Sequence, residues 1–290
     1  MAQTVVSLVD RDLVVVSGPD ATTFLQSLLS QDLDPVAVGD STHALLLEPR
    51  GKLVVDLRAA RVEPDEWWCV CEGGFGPVLA QGLKRFRIRV KVEIEDRSAD
   101  LGALALRGPA ALDMQAEAFD AALPIAPVRS DWAGVPGVEF LGHPPALTAL
   151  AAAFVEVGAV EIDAAAFEAL RVEAGVPRQG YDIDESTIAQ EAFLERDAVS
   201  FTKGCFLGQE LVCRIDSRGH VNRLLRRLRA DSPLARGAVV VADDKEVGTV
   251  TSSAGNVALA TVRRTVEPGG EVLVRSAGAD VTARVEAVDA

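Results

Sequence analysis

The sequence predicts an α+β protein that ends in a small β-barrel or sandwich, and two observations support this. Over residues 1–225, apolar runs typical of strands are mixed with segments whose apolar residues recur at helical spacing. Over residues 226–290, short β-like runs alternate with turns rich in Gly, Asp or Pro. We therefore expect two domains, residues 1–225 and residues 226–290.

A strand, a glycine-proline break and a helix occur twice in the N-terminal part. Residues 13–17 form an apolar run that stops at Gly18-Pro19, and a helix is predicted to begin near Asp20. The same order recurs over residues 101–119, with Gly108-Pro109 as the break. Two related units are therefore expected here. The other expected elements are strands at 42–47, 53–62, 87–94 and 211–215 and helices at 78–85, 144–157 and 163–174.

The composition is typical of a soluble globular protein. Of the 290 residues, 49% are hydrophobic and 25% are charged, and no apolar run approaches the roughly 18 residues of a membrane span. The N-terminus lacks the basic region of a signal peptide, so we expect a cytoplasmic location and no membrane partner. The net charge of −14 argues against broad binding to nucleic acid, because the whole-chain field repels phosphates.

The four cysteines are expected to be free thiols, as is usual in a reducing compartment. Cys69 and Cys71 lie two residues apart, so both point to one face of a strand. Neither their spacing nor that of Cys205 and Cys213 is a Cys-x-x-Cys motif, and the three histidines are scattered. No metal site is predicted. Packing is the expected role of Cys69, Cys71 and Cys213.

Cys205 lies between Gly204 and Gly208 in a stretch that interrupts a strand-like run. Glycines on both sides allow a positive φ or a close approach of the backbone to a ligand, so a short loop is expected to present the thiol. Lys203 lies two residues away and would favour the thiolate over the thiol. The alternative is that Cys205 packs as a small hydrophobic residue, which is the commoner role of a lone cysteine.

Glu173 is an unusual residue for its place in the helix predicted at 163–174. A carboxylate in the last helical turn faces the negative end of the helix dipole, which costs roughly 0.3–1 kcal/mol where nothing compensates it. Pairing with Arg171 or another arginine would explain it, and so would a role as a ligand.

These residues resemble a known family. Residues 203–210, Lys-Gly-Cys-Phe-Leu-Gly-Gln-Glu, match the Lys-Gly-Cys-aromatic-x-Gly-Gln-Glu signature of the folate-binding YgfZ family, which is related to the glycine-cleavage T protein, an aminomethyltransferase. Residues 171–177 and 182–185 resemble the T-protein segment in which a helix-terminal glutamate contacts the pterin ring. The resemblance covers nearly the whole chain and implies an aminomethyltransferase-like fold with tetrahydrofolate or a derivative in a central cavity.

The resemblance also implies roles for individual residues. Glu173 becomes a pterin ligand, and Cys205 becomes a functional thiolate tuned by Lys203. Only Asp56 remains of an Asp-Asp pair that serves the chemistry of T proteins. Arg223 belongs to an arginine-rich stretch that is explained either by a site for a polyglutamylated folate tail or by a solvated basic face. Gly204 and Gly208 would shape the signature loop, and Gln209 and Glu210 would brace it or contact a partner.

Three functions follow from these residues and the resemblance. The leading one is a folate-binding accessory protein for iron-sulfur cluster assembly or repair, whose partners include tRNA-modifying iron-sulfur enzymes. The alternative is a folate-dependent aminomethyl- or methyltransferase, against which the missing aspartate counts. The third is a module that binds tRNA through Arg214, Arg218, Arg223, Arg226, Arg227 and Arg229.

Overall fold

The computed structural model describes residues 2–120, 125–132, 134–276 and 280–288. The chain forms two compact units, residues 1–164 with 197–209 (unit 1) and residues 165–196 with 210–290 (unit 2). The predicted domain boundary near residue 225 stays a prediction.

Unit 1 contains ten strands and four helices among its described residues. The strands are β1 (Val5–Val9), β2 (Arg11–Ser17), β3 (Ser41–Leu47), β4 (Leu53–Glu63), β5 (Glu66–Glu72), β6 (Glu93–Asp96), β7 (Gly102–Arg107), β8 (Ile125–Arg129), β9 (Gly137–Gly142) and β10 (Val160–Glu161). The helices are α1 (Ala21–Leu28), α2 (Gly76–Lys84), α3 (Ala111–Ala118) and α4 (Pro144–Glu156).

Two five-stranded sheets form the framework of unit 1. One has the order β3-β4-β5-β2-β6, and α1 and α2 contribute to its hydrophobic core. The other has the order β10-β1-β7-β9-β8, and α3 and α4 contribute to its core. A smaller cluster that includes Leu13, Val70 and Leu141 joins the two sheets. The helices and this cluster therefore cover the apolar faces of both sheets.

The predicted repeat is confirmed by the two strand-turn-helix units. Gly18 joins β2 to α1 with φ 120°, and Gly108 joins β7 to α3 with φ 140°. A Cβ at Gly18 would lie 2.4 Å from the Lys91 carbonyl oxygen, and one at Gly108 would lie 2.5 Å from Thr4 Cα. Glycine is required at both turns because of the backbone conformation and the close approach of a neighbouring segment.

Unit 2 is built on a closed six-stranded barrel of order β11-β14-β13-β12-β15-β16, as predicted. Its strands are β11 (Arg223–Ala230), β12 (Val239–Ala242), β13 (Lys245–Ala254), β14 (Val257–Arg263), β15 (Glu271–Arg275) and β16 (Asp280–Glu286). The other elements are α5 (Ala164–Ala174), a 3-10 helix (Ala189–Glu191), α6 (Glu195–Ala198) and α7 (Gln209–Arg218). The chain passes between the units three times, after the first residue of α5, within α6 and after the first residue of α7.

Two predicted elements were wrong. Residues 211–215 belong to α7, because Leu211, Val212 and Ile215 also recur at helical spacing and the run is too short to separate the two readings. The strand predicted at 87–94 begins only at Glu93, since Arg89 adopts a φ of 58° that no strand accommodates. In the described residues, no helix is long and apolar enough to cross a membrane.

Candidate functional site

The stretch around Cys205 forms an irregular loop, which we call the thiol loop (residues 200–208). Lys203 anchors it to the end of α1. The Lys203 ammonium donates to the carbonyl oxygens of Gln26, Leu29 and Gln31 at 2.8, 2.9 and 2.7 Å. Burial lowers the pKa of Lys203 to about 8, and Asp32 and Asp34 oppose this shift. Lys203 therefore holds the loop on unit 1, and its tuning of Cys205 stays a prediction.

The two glycines of the signature have different environments. Gly208 has a φ of 80°, and a Cβ there would lie 2.6 Å from the Glu48 carbonyl oxygen and 3.1 Å from Gly51 Cα. The loop is thus pressed against the turn that joins β3 and β4, which only glycine permits. Gly204 has open space around the position of its missing Cβ. The requirement for glycine is therefore structural at Gly208 and has no steric cause at Gly204.

Cys205 itself is exposed, while its neighbours hold the loop in place. Phe206 is buried, and Leu207 packs against the core of unit 1. The Phe206 N–H donates to Gln209 Oε1 at 3.2 Å, so Gln209 braces the loop. Glu210 is exposed on the first turn of α7. The geometry presents the thiol to solvent and does not use it for packing.

His43 lies between two carboxylates, Asp56 and Asp197. His43 and Asp56 belong to the two strands that the β3–β4 turn joins. His43 on β3 and Asp56 on β4 are diagonal neighbours in the sheet. The His43 Nε2 atom contacts Asp56 Oδ1, and the His43 Nδ1 atom lies 2.9 Å from Asp197 Oδ2. We call these three residues the His43 cluster. Since both ring nitrogens face carboxylate oxygens, both donate, and the ring is an imidazolium.

The charge of His43 follows from its neighbours. Burial alone would lower the pKa of His43, but Asp56 and Asp197 outweigh burial and raise it to about 9. Burial would likewise raise the pKa of Asp197, but the hydrogen bond from His43 lowers it. The Asp56 side chain is 21% exposed, so a ligand can reach it. The cluster can accept hydrogen bonds from a ligand and can hold a proton near neutral pH.

We expect His43→Gln to reduce the free energy of unfolding by an amount that depends on pH. The folded-state pKa of about 9 lies above the usual 6.5. The contribution of His43 is therefore fully present below about pH 6.5 and is lost as pH rises through about 9. It amounts to at most about 3.5 kcal/mol. Urea unfolding at several pH values checks this, with the exposed His220→Gln as control. A wild-type advantage that persists above about pH 9.5 would contradict the assignment.

The other predicted ligands lie in unit 2. Glu173 lies in the last turn of α5, where its carboxylate pairs with Arg229 and its carbonyl oxygen accepts from Arg227 Nη1 at 2.7 Å. Arg171, the partner suggested by the sequence, instead pairs with Glu168 and Asp182. The ion pair with Arg229 offsets the unfavourable position of Glu173 on the helix dipole. Its role as a pterin ligand stays a prediction.

Most of the arginines proposed for tRNA are engaged in unit 2. Arg223 pairs with Glu191, with Nε 3.2 Å from Oε1, and lines a cavity of about 770 Å³ beside the barrel. Arg227 and Arg229 both pair with Glu286, and Arg226 is buried. Arg214 and Arg218 are exposed on α7. The six residues do not form one exposed basic face.

The remaining cysteines show no metal-binding arrangement. Cys69 and Cys71 are buried on β5, and burial raises the pKa of Cys69 to about 12. Cys213 is partly buried on α7. Across the described ranges, no group of three or more His, Cys, Asp or Glu side chains has a metal-binding arrangement.

His43 and Asp197 are the residues of the site that the sequence analysis missed. They lie 154 positions apart, and neither belongs to a recognisable motif. The only available signal was that His43 and Asp56 belong to two predicted strands joined by a short turn, which predicts a hairpin and close side chains.

Two families match different parts of the chain. Residues 6–203 match the family described as the GCVT N-terminal domain, and residues 223–288 match the CAF17 C-terminal beta-barrel domain. The first match alone covers more than half of the sequence.

Relatives and a solved structure agree with these matches. An aminomethyltransferase from Herpetosiphon aurantiacus is 29% identical over 255 residues, which cover 82% of this chain and 70% of the relative. One from Prosthecochloris aestuarii is 28% identical over 227 residues, which cover 70% of this chain and 61% of that relative. The crystal structure of the glycine cleavage system aminomethyltransferase T from Bartonella henselae covers 99% of this chain, with a TM-score of 0.85, 24% identity and 86% of its own length matched. This likeness confirms the predicted fold.

Proposed function

Because this chain belongs to the GCVT family and carries the CAF17-type barrel that completes the YgfZ/CAF17 architecture, we propose that it is a tetrahydrofolate-binding accessory protein for iron-sulfur cluster assembly or repair. The observation that supports this most directly is the thiol loop. Its exposed Cys205 makes no packing contribution, yet Lys203 and Gly208 fix the loop on unit 1. A thiol presented in this way is suited to chemistry.

Folate is proposed as the cofactor because the chemistry of the side chains fits it. Carboxylates accept hydrogen bonds from the amino and ring N–H groups of a pterin, and Asp56 is a partly exposed carboxylate with a charged imidazolium beside it. We assign Asp56 as a pterin contact within unit 1. Within unit 2, the resemblance supports Glu173 as a candidate pterin ligand and Arg223 as a candidate contact for the anionic tail. Folate would supply a one-carbon unit when bound, and these side chains would bind and orient it.

Cys205 is proposed as the reactive thiolate of this protein. The thiolate either binds iron transiently or attacks a one-carbon unit carried by the folate. A single cysteine cannot hold a conventional cluster with four thiolate ligands, so a cluster would be shared with a partner protein. The proposed partners are therefore iron-sulfur enzymes or assembly factors, including those that modify tRNA.

A folate-dependent aminomethyltransferase is the second candidate, because the relatives named above are aminomethyltransferases. Asp56 would then have a polar role in the transfer. The residues before it, Val54 and Val55, leave the site without a second carboxylate on that part of β4. Transfer of a one-carbon unit to tetrahydrofolate that survives Cys205→Ala would favour this candidate.

We expect Asp56→Asn to weaken tetrahydrofolate binding about tenfold or more, because a charge-assisted hydrogen bond contributes roughly 1.5–3 kcal/mol. Isothermal titration calorimetry with purified protein under anaerobic conditions measures this. Asp113→Asn, on an exposed position of α3, removes the same charge and should leave the affinity unchanged. Equal affinities for wild type and Asp56→Asn would remove Asp56 from the folate site.

A further inference from the structure

The most concentrated positive charge in unit 1 lies in residues 84–91, which we call the basic turn. It has the sequence Lys-Arg-Phe-Arg-Ile-Arg-Val-Lys and carries five of the 29 lysines and arginines of the chain. All five cationic side chains are exposed. Over the ranges that the structure describes, none of the five makes a side-chain hydrogen bond or an ion pair. In this respect the basic turn differs from the paired arginines of β11.

The backbone of the basic turn is held in a defined shape. Phe86 N–H donates to the Leu83 carbonyl at 3.0 Å, and Arg87 N–H donates to the Lys84 carbonyl at 3.2 Å. At the other end, Lys91 N–H donates to the Asp20 carboxylate at 2.7 Å. These hydrogen bonds place the cations on a fixed framework and leave their side chains in solvent.

The apolar residues of the basic turn mostly point inward. Phe86 and Val90 pack against the core of unit 1, whereas Ile88 is 72% exposed. A single aliphatic side chain is worth about 1.5–3 kcal/mol when buried, which is little for membrane insertion. The exposed surface is therefore mainly cationic, and its natural partner is a polyanion.

We propose that the basic turn binds the phosphate backbone of single-stranded RNA without sequence preference. Three of its five cations are arginines, whose planar guanidinium groups pair with phosphates in bidentate fashion and stack on unpaired bases. The net charge of −14 repels RNA from the rest of the surface, so binding is confined to this turn and depends steeply on salt. This inference goes beyond the proposed function and depends on neither folate nor Cys205.

Fluorescence anisotropy of a labelled oligouridine RNA with the full-length protein tests the proposal. Five phosphate contacts predict a slope of log Kobs against log salt of up to about −3.5 for a single strand. The triple variant Arg85→Gln/Arg87→Gln/Arg89→Gln should reduce the magnitude of that slope by about 2 and weaken binding at least about tenfold in about 50 mM salt.

A second triple variant provides the matched control. Arg263→Gln/Arg264→Gln/Arg284→Gln removes three exposed charges from the barrel and should bind RNA within about twofold of wild type. Circular dichroism verifies that both variants are folded. Equal losses in the two triple variants, or no RNA binding by wild type at about 50 mM salt, would overturn the proposal.

The variant Ile88→Ser distinguishes binding of the basic turn to RNA from binding to a membrane surface. This variant should bind the RNA as wild type does. Wild-type binding to phosphatidylcholine vesicles with about 30% phosphatidylserine that exceeds its RNA binding, and that is lost in Ile88→Ser, would assign the basic turn to membranes and overturn the RNA proposal.

Discussion

Replacing Cys205 by alanine is expected to abolish rescue of iron-sulfur enzyme activity in a strain that lacks this protein. The expected loss is complete, because the proposed function depends on one thiolate and serine or alanine cannot replace it. The measurement is the activity of iron-sulfur enzymes in extracts of the complemented strain, normalised to the amount of each variant.

This prediction is not confounded by folding. Cys205 is exposed, and the thiol loop is held by Lys203, Phe206 and Gly208, so Cys205→Ala should unfold as wild type does. Its tetrahydrofolate affinity should also be unchanged if the thiol acts after folate is bound. Cys213→Ala, which changes a half-buried cysteine on α7, is the control and should rescue fully. Full rescue by Cys205→Ala would contradict the proposed iron-sulfur function. Folate-dependent transferase activity would then be the better-supported function.

Asp182→Ala is expected to destabilise unit 2 by about 3–5 kcal/mol, the usual cost of breaking a buried ion pair. Asp182 Oδ2 lies 2.8 Å from Arg171 Nη1 and accepts from the Ser252 hydroxyl at 2.9 Å. The Arg171 side chain is only 7% exposed, and that of Asp182 is not exposed at all. Removing the carboxylate leaves the guanidinium and a hydroxyl donor partly unpaired, because both lose the acceptor that they share.

Chemical unfolding followed by circular dichroism measures this loss. Asp231→Ala removes a carboxylate at an exposed position and should change the free energy of unfolding by less than about 0.5 kcal/mol. The double variant Arg171→Met/Asp182→Leu should be less destabilised than Asp182→Ala, because it removes both buried charges. Glu168, which loses Arg171, is 29% exposed and keeps Arg178 at 3.7 Å. A loss below about 1 kcal/mol for Asp182→Ala would mean that the pair is solvated in solution.

The sequence by itself determined most of the architecture. Local patterns predict the mixture of strands and helices, the two glycine-proline turns and the short C-terminal strands. The spacing of apolar residues and the residue types of a turn are both properties of a few neighbouring residues. The signature over residues 203–210 likewise located the thiol loop and the family. Local patterns failed at 211–215, because this five-residue, mainly apolar run fits a strand as well as a helix.

Only the tertiary structure decided which charged groups meet. Lys203 donates to carbonyl oxygens near the end of α1, more than 170 positions away in the sequence. His43 contacts Asp197, which lies 154 positions away. Likewise, the arginines of β11 are largely engaged, whereas those of the basic turn are not. A sequence shows which residues carry charge, but pairing requires approach to within about 4 Å, which depends on how distant segments pack. As a result of this packing, Glu173 is paired with Arg229 and Lys203 is hydrogen-bonded near the end of α1. The Cys205 thiol remains exposed.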